Sequence, residues 1–285
     1  MNPSTRISNL AELVGSLAIP PSKVVSSDDT VASGIGQLRK NNFEALKIKK
    51  THDGGKPERP LAFSAYSVVS MLVGIGPPSY KNFLSEPCVE GALAVGTASD
   101  DSDIQSLCHV YETTTLGYAL VHDAKKNADA DENSRMVSVR DLLKLYQKKV
   151  IYSRLSLGDV ASSPIFSLSR GTKLDATLAE MVRRKFRRVQ LVGTKSVISD
   201  TQILAYLFGE ERMAMISRKP ERLLDGVLED IEQEDIPWTN SASSLSDVAS
   251  LLISKKVGCA MSEKGVATPW DLIVKPWRLG ELRIN

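Results

Sequence analysis

The chain has 285 residues and a formal net charge of +2, with 42% apolar and 25% charged residues. That length suits one large domain or two of ordinary size, and the composition is ordinary for a globular protein. The near-neutral balance makes no electrostatic case for nucleic acid or an acidic membrane as partner. The apolar run 61–76 is short for a bilayer span and is interrupted by Ser64, Ser67 and Ser70.

In chain order, Ile7, Leu10, Leu13, Val14 and Leu17 form an apolar stripe at helical spacing that Pro20 and Pro21 end, so an opening helix is expected over 5–18. Residues 23–25 read as a strand, and Thr30 as the cap of a helix carrying Val31, Ile35 and Leu38. A hairpin follows, 44–48 and 60–63, with a polar tip at 51–59 containing His52 and the turn residues Gly54, Gly55 and Pro57. A helix through Val68 and Leu72 is stopped by the Gly- and Pro-rich stretch 74–78.

The same order then recurs. Residues 92–95 read as a strand, Asp100, Asp101 and Asp103 open a helix carrying Ile104, Leu107, Cys108 and Tyr111, and 117–121 with 135–137 form a hairpin around a mobile, charged tip. A helix through Leu142 and Leu143 closes this unit. The third unit has a strand at 164–168, a helix from Thr172 with Leu174, Leu178, Met181 and Val182, a hairpin 189–192 and 196–198 turning at Gly193, and a helix with Ile203, Leu204 and Leu207. Residues 210–233 read as one or two helices broken near Pro220. The fourth unit has only a strand remnant at 236–238, then a helix with Leu245, Val248 and Leu252, a hairpin turning at 262–265, and a closing helix. Each hairpin passes into its closing helix through a hydroxyl residue: Ser64, Ser138, Ser199 and Thr268, separated by 74, 61 and 69 residues. The chain is therefore an irregular array of four small strand-and-helix units.

This order, with a hydroxyl at the last strand-to-helix junction and often an Asp three residues later, resembles the CBS (cystathionine-β-synthase) domain. Unit three shows it best, with 157–160 similar to the family's lead-in helix, 164–168 to its first strand and 186–207 to its hairpin and closing helix. The resemblance implies an α/β (α+β) fold of tandem CBS repeats, each with a small sheet flanked by helices. It implies two CBS pairs, or Bateman modules: 1–150 with repeats at about 20–75 and 88–147, and 151–285 with repeats at about 155–209 and 228–277. Such pairs occur in stand-alone prokaryotic and archaeal proteins and in the gamma subunit of AMP-activated kinase. The family's regulatory ligands are AMP, ADP, ATP and S-adenosylmethionine, and some members bind none.

The junction residues have chemistry suited to such a ligand. An ionised Asp in the first turn of a helix can accept both hydroxyl protons of a ribose, and the helix start favours a phosphate. Ser138 with Asp141 and Thr268 with Asp271 meet this description fully, whereas Ser199 with Gln202 keeps polarity without charge, and Ser64 with Ser67 is too short to grip a diol. Better sites are therefore expected in units two and four. The same spacing is also the capping box that ties down a helix start, and Pro269 suits a first helical position. Both roles fit the residues.

The run Arg183-Arg184-Lys185-Phe186-Arg187-Arg188 is the densest charge feature. It reads as a phosphate-facing cluster led by Arg187 and Arg188, as a nucleic-acid patch, or as a solvated helix face with Phe186 turned inward. No aromatic-rich or helix-turn-helix segment accompanies it, which argues against nucleic acid. Catalytic and metal motifs are absent: His52, His109 and His122 lack ligand spacing, and Gly34 and Gly36 lack the rest of a nucleotide loop. Trp238, Trp270 and Trp277 fall late in the chain and are expected to pack unit four. Cys88, Cys108 and Cys259 are odd in number and unpaired in spacing, which points to reduced, buried thiols in the cytoplasm, and the start of the chain reads as no signal peptide. The functional expectation is a non-enzymatic adenine-nucleotide sensor without metal, acting on an unknown protein partner, with a homodimer possible. The alternative is a ligand-free scaffold or oligomerisation module.

Overall fold

Asn9 caps the first helix, α1 (Leu10–Ser16), by accepting the Glu12 N–H at 2.9 Å. The computed structural model describes residues 7–41, 44–49, 59–76, 79–126, 132–216 and 218–285. The first hairpin tip with His52, Gly54, Gly55 and Pro57, the Pro77-Pro78 stop and the middle of the second tip lie outside the described residues.

Repeat one comprises β1 (Val24–Ser26), α2 (Val31–Asn41), β2 (Ala45–Lys49), β3 (Leu61–Ser64) and α3 (Ala65–Ile75). β1 lies parallel to β2, and β2 antiparallel to β3 with Ala45 opposite Ser64. The short α4 (Tyr80–Phe83) and β4 (Leu93–Ala94) follow. β4 pairs with β3 and so edges the sheet of repeat one, whereas the sequence places repeat two's first strand there. That strand is instead β5 (Thr97–Ser99). The change of partner falls between Ala94, which faces Leu61, and Gly96, whose carbonyl already accepts the Leu120 N–H at 2.9 Å.

Repeat two continues with α5 (Ile104–Thr114), β6 (Tyr118–His122), β7 (Arg135–Ser138) and α6 (Val139–Gln147), followed by β8 (Ile151–Tyr152) and the lead-in helix α7 (Leu157–Val160). Repeat three is β9 (Ser167–Leu168), α8 (Leu174–Arg184), β10 (Arg188–Leu191), β11 (Ser196–Ser199) and α9 (Asp200–Leu207). After α10 (Glu210–Ile216) the expected second helix is replaced by two short 3-10 turns, 220–222 and 228–230, with Gly226 at φ 134° between them, and β12 (Glu234–Asp235) joins β11. Repeat four is α11 (Leu245–Lys255), β13 (Ala260–Ser262), β14 (Gly265–Ala267) and α12 (Pro269–Arg278), followed by β15 (Arg283–Ile284). Its first strand is reduced to one parallel bridge between Trp238 and Met261, as the weak 236–238 signal implies.

In repeats two, three and four the middle helix ends on a left-handed residue that is not glycine: Thr115, Lys185 and Lys256, with φ of 58°, 58° and 55°. This turn reverses the chain into the hairpin and satisfies helix-end carbonyls; the Lys185 N–H, for example, reaches Met181 O and Val182 O.

Two compact units result. Unit one takes Met1–Ser22, Val95–Ile165 and Ile236–Asn285, and unit two takes Lys23–Ala94 and Phe166–Asp235. Compactness thus groups repeat two with repeat four and repeat one with repeat three. In unit one α6 packs on α11 and α12, and α12 on α5. The buried Tyr146 hydroxyl donates to Leu272 O at 2.9 Å and that of Tyr111 to Val137 O at 3.0 Å, so two large aromatic side chains are buried with their polar tips satisfied. In unit two α3 packs on α8 and α9 around Phe63, Leu72, Phe83, Leu178, Met181, Ile203 and Leu207. All three cysteines are buried; burial pushes the Cys88 thiol up to about 11 and the Cys108 thiol to about 12. Trp270 and Trp277 pack against the core of unit one as expected, but Trp238 is exposed.

Candidate functional site

The four junctions share one backbone geometry. Each hairpin's last strand ends in an extended hydroxyl residue, and the residue three later closes a capping box on it. In repeat one Ser64 and Ser67 cap each other, and both are buried. Their short side chains are spent on the backbone.

In repeat two the Ser138 N–H and Oγ–H donate to Asp141 Oδ2 at 3.1 and 2.8 Å, and Ser138 Oγ accepts the Asp141 N–H at 3.2 Å. The second carboxylate oxygen, Oδ1, takes Lys144 Nζ at 3.0 Å. This pair is open: the Lys144 side chain is 44% exposed and that of Asp141 25%.

Repeat four has the same local frame, with the Thr268 N–H and Oγ1–H donating to Asp271 Oδ2 at 2.8 and 2.7 Å. Its Oδ1 is enclosed. Ser162 Oγ donates to it at 3.1 Å and Lys275 Nζ at 2.9 Å, and the Asp271 side chain is 8% exposed. Lys275 also donates to Val160 O at 2.6 Å and Ser162 Oγ at 2.9 Å. The strap carrying Ser162 is held by a two-bond bridge, Ser162 N–H to Val266 O at 2.7 Å and Val266 N–H to Ser162 O at 3.2 Å. It lies so close that a Cβ on Gly265 would sit 2.3 Å from Ser162 O, and Gly265 has φ +142°. Nothing in the motif itself signals this strap.

In repeat three Ser199 N–H and Oγ–H donate to Gln202 Oε1 at 2.8 and 2.9 Å, and Gln202 Nε2 donates to Glu232 O at 3.0 Å. The amide is thus committed on both sides. The basic run splits up. Arg183 and Arg184 both bind Glu180, at 2.7 and 2.8 Å, and pull its carboxyl down to about 2. Arg184 lies 5.1 Å over the Phe166 ring, and Phe186 packs 5.5 Å from Phe166 while remaining 43% exposed, so it does not turn inward.

Arg187 Nε pairs with Asp200 Oδ2 at 2.7 Å, and the Asp200 side chain is almost wholly buried. Sequence reasoning passed over Asp200. The signal for it is hairpin register: Arg188 faces Ser199, which brings the next outward pair, Arg187 and Asp200, together. Tyr66 of α3 stands near this pair; burial raises its hydroxyl pKa and the Asp200 charge adds to that, with Ser70 and Arg187 opposing. Arg188 carries a buried Nε without a hydrogen-bond partner.

Among the described residues no group of three His, Cys, Asp or Glu side chains could hold a metal ion, and no helix is long and apolar enough to cross a membrane. His109 packs edge-on against Trp277 at 6.2 Å, and His122 Nδ1 lies 3.0 Å from Asp123 O.

No protein-family model matches the sequence, and no curated protein does. Solved structures do match. A Methanocaldococcus jannaschii protein described as a proposed archaeal homologue of g-AMPK superposes with a TM-score of 0.75 at 17% identity, covering 91% of this chain and 98% of that one. An uncharacterized conserved protein from Pyrococcus horikoshii gives 0.54 at 12% identity, covering 94% and 99%. A CBS domain protein from Pyrobaculum aerophilum complexed with AMP matches 47% of this chain and 89% of that one at 15% identity, with a TM-score of 0.35. Likeness at these identities shows the fold, and the fold is that of tandem CBS domains, with small sheets flanked by helices.

Proposed function

We propose that this protein is a non-enzymatic regulatory module that binds an adenine nucleotide at the junction of repeat two, in a cytoplasmic setting. The observation that carries this reading is the environment of Asp141: a carboxylate in the first turn of α6, partly exposed, whose Oδ1 is covered only by the side chain of surface Lys144 among the described residues. Swinging Lys144 aside costs little, since exposed pairs contribute about 0–1 kcal/mol, and frees an acceptor oxygen for a ribose hydroxyl. Asp271 offers no such oxygen, because all its contacts are internal. At repeat three's own junction an anion would meet Arg188 rather than Arg187, which Asp200 holds. Signalling then requires that nucleotide bind two states of the protein unequally.

Titration calorimetry with AMP, ADP, ATP and S-adenosylmethionine tests this. Asp141→Ala is expected to weaken binding at least about tenfold, worth 1.4 kcal/mol, while Asp271→Ala leaves affinity per folded molecule unchanged. Equal affinity in wild type and Asp141→Ala would remove the site.

A second reading is favoured by the three internally satisfied junctions: a ligand-free scaffold acting on a protein partner or as a homodimer. It expects no thermal shift with any adenylate and self-association in sedimentation.

A further inference from the structure

A cavity of about 270 Å³ in unit one is lined by no residue of that unit's two junctions, 138–141 and 268–271. It sits beyond the carboxyl ends of the parallel pair β5 and β6, where Ser99 faces His122. α1 roofs it, through the Leu10 and Ala11 N–H groups that donate to Ser102 O and Asp100 O at 2.8 Å. In α/β sheets this is the end at which loops converge to take ligands. Ser138 lies at the opposite end of the same hairpin, since Tyr118 faces Ser138 and Val121 faces Arg135; three residue steps separate them by roughly 10 Å.

We propose that this cavity binds a small zwitterion of the α-amino-acid class. Its lining carries both signs, Arg135 against Asp100 with Lys126 and Asp123 paired to each other at 3.9 Å, so the summed charge favours neither a polyanion nor a bare cation. A molecule with a carboxylate and an ammonium a few ångströms apart satisfies both. Arg135 is anchored by a hydrogen bond to Ile19 O, which orients its planar fork for a carboxylate. Asp100 is fixed from two sides: its N–H donates to His122 O at 2.8 Å, and its Oδ1 accepts the Ala124 N–H at 3.0 Å. That places a carboxylate for the ammonium. Val14 and Val121 supply apolar wall, and Gly15 leaves room, with nothing within 4 Å of where its Cβ would be. The volume is at the small end of ligand cavities, which suits an amino acid better than a nucleotide.

The test is a thermal-shift and calorimetry screen of the full chain against the proteinogenic amino acids, with acetate and methylamine as singly charged controls. At least one amino acid is expected to raise Tm at millimolar concentration, and the controls are not. Arg135→Met is expected to weaken that amino acid at least about tenfold. Gly15→Phe, which fills open space on an exposed helix face, is expected to abolish binding while moving the ligand-free Tm by less than about 2 °C. The proposal falls if no amino acid shifts Tm, if binding survives both substitutions, or if Gly15→Phe removes adenine-nucleotide binding instead. Loss of nucleotide binding in Asp141→Ala with amino-acid binding intact separates the two sites.

Discussion

Repeats two and four carry the same local device, a hydroxyl residue, an aspartate in the first turn and a lysine one turn further on, yet their carboxylates meet different surroundings. Asp141 is covered by a lysine that reaches back across the protein surface. Asp271 is covered by Ser162 and by a lysine that the strap also binds through Val160 O. The comparison teaches that what a capping carboxylate meets with its second oxygen is decided by a segment 109 residues away, not by the motif.

The largest effect expected to break or support this comparison is on stability. Asp271→Ala leaves Lys275 and Ser162 without their acceptor and should cost about 3 kcal/mol in urea unfolding, against about 1 kcal/mol for the cap lost in Asp141→Ala. Equal losses would mean that the two environments do not differ. Asp200→Ala in unit two comes next. It strands Arg187 beside a buried gap and should cost about 2–3 kcal/mol, which would show that repeat three also uses its acid structurally. Tyr146→Phe deletes one satisfied buried hydroxyl between α6 and α12, and about 1 kcal/mol is expected.

The smallest effect concerns Glu180, whose carboxyl is held at about 2 by hydrogen bonds from Arg183 and Arg184. A depressed folded pKa means that this contribution is present above the unfolded value and is lost as pH falls from the ordinary carboxylate range toward 2. Because Glu180 is exposed, the effect belongs in an NMR titration: Arg183→Ala and Arg184→Ala should each move its midpoint upward. An unmoved midpoint would leave the basic run free to act as a patch.

Much of this architecture was readable from local pattern. The hairpins, the closing helices and the faint first strand of repeat four follow from strand alternation, turn glycines and caps, all of which act within a few residues. Ser64, Ser138, Ser199 and Thr268 stand at helix starts for the same reason. What escaped was set by distance. Nothing near Asp271 announces Ser162, and Arg187 finds Asp200 only once strand register is known. The slip of repeat two's first strand from 92–95 to β5 is a matter of partner, since Ala94 faces Leu61 and Thr97 faces Leu120, and long-range pairing leaves no periodic trace. Phe186 stays exposed because Phe166 meets it at the surface rather than in the core.

The interleaving of the two compact units has a consequence for biosynthesis. α3 needs α8 and α9, and α6 needs α11 and α12, so a nascent chain that has released only its first half presents two apolar helix faces with no cover. Unit two can close only as 166–235 emerges, and unit one must wait for 236–285, so each core is completed by a segment made well after the one it covers. Halves 1–150 and 151–285 expressed separately should aggregate, and should be rescued when produced together in one cell.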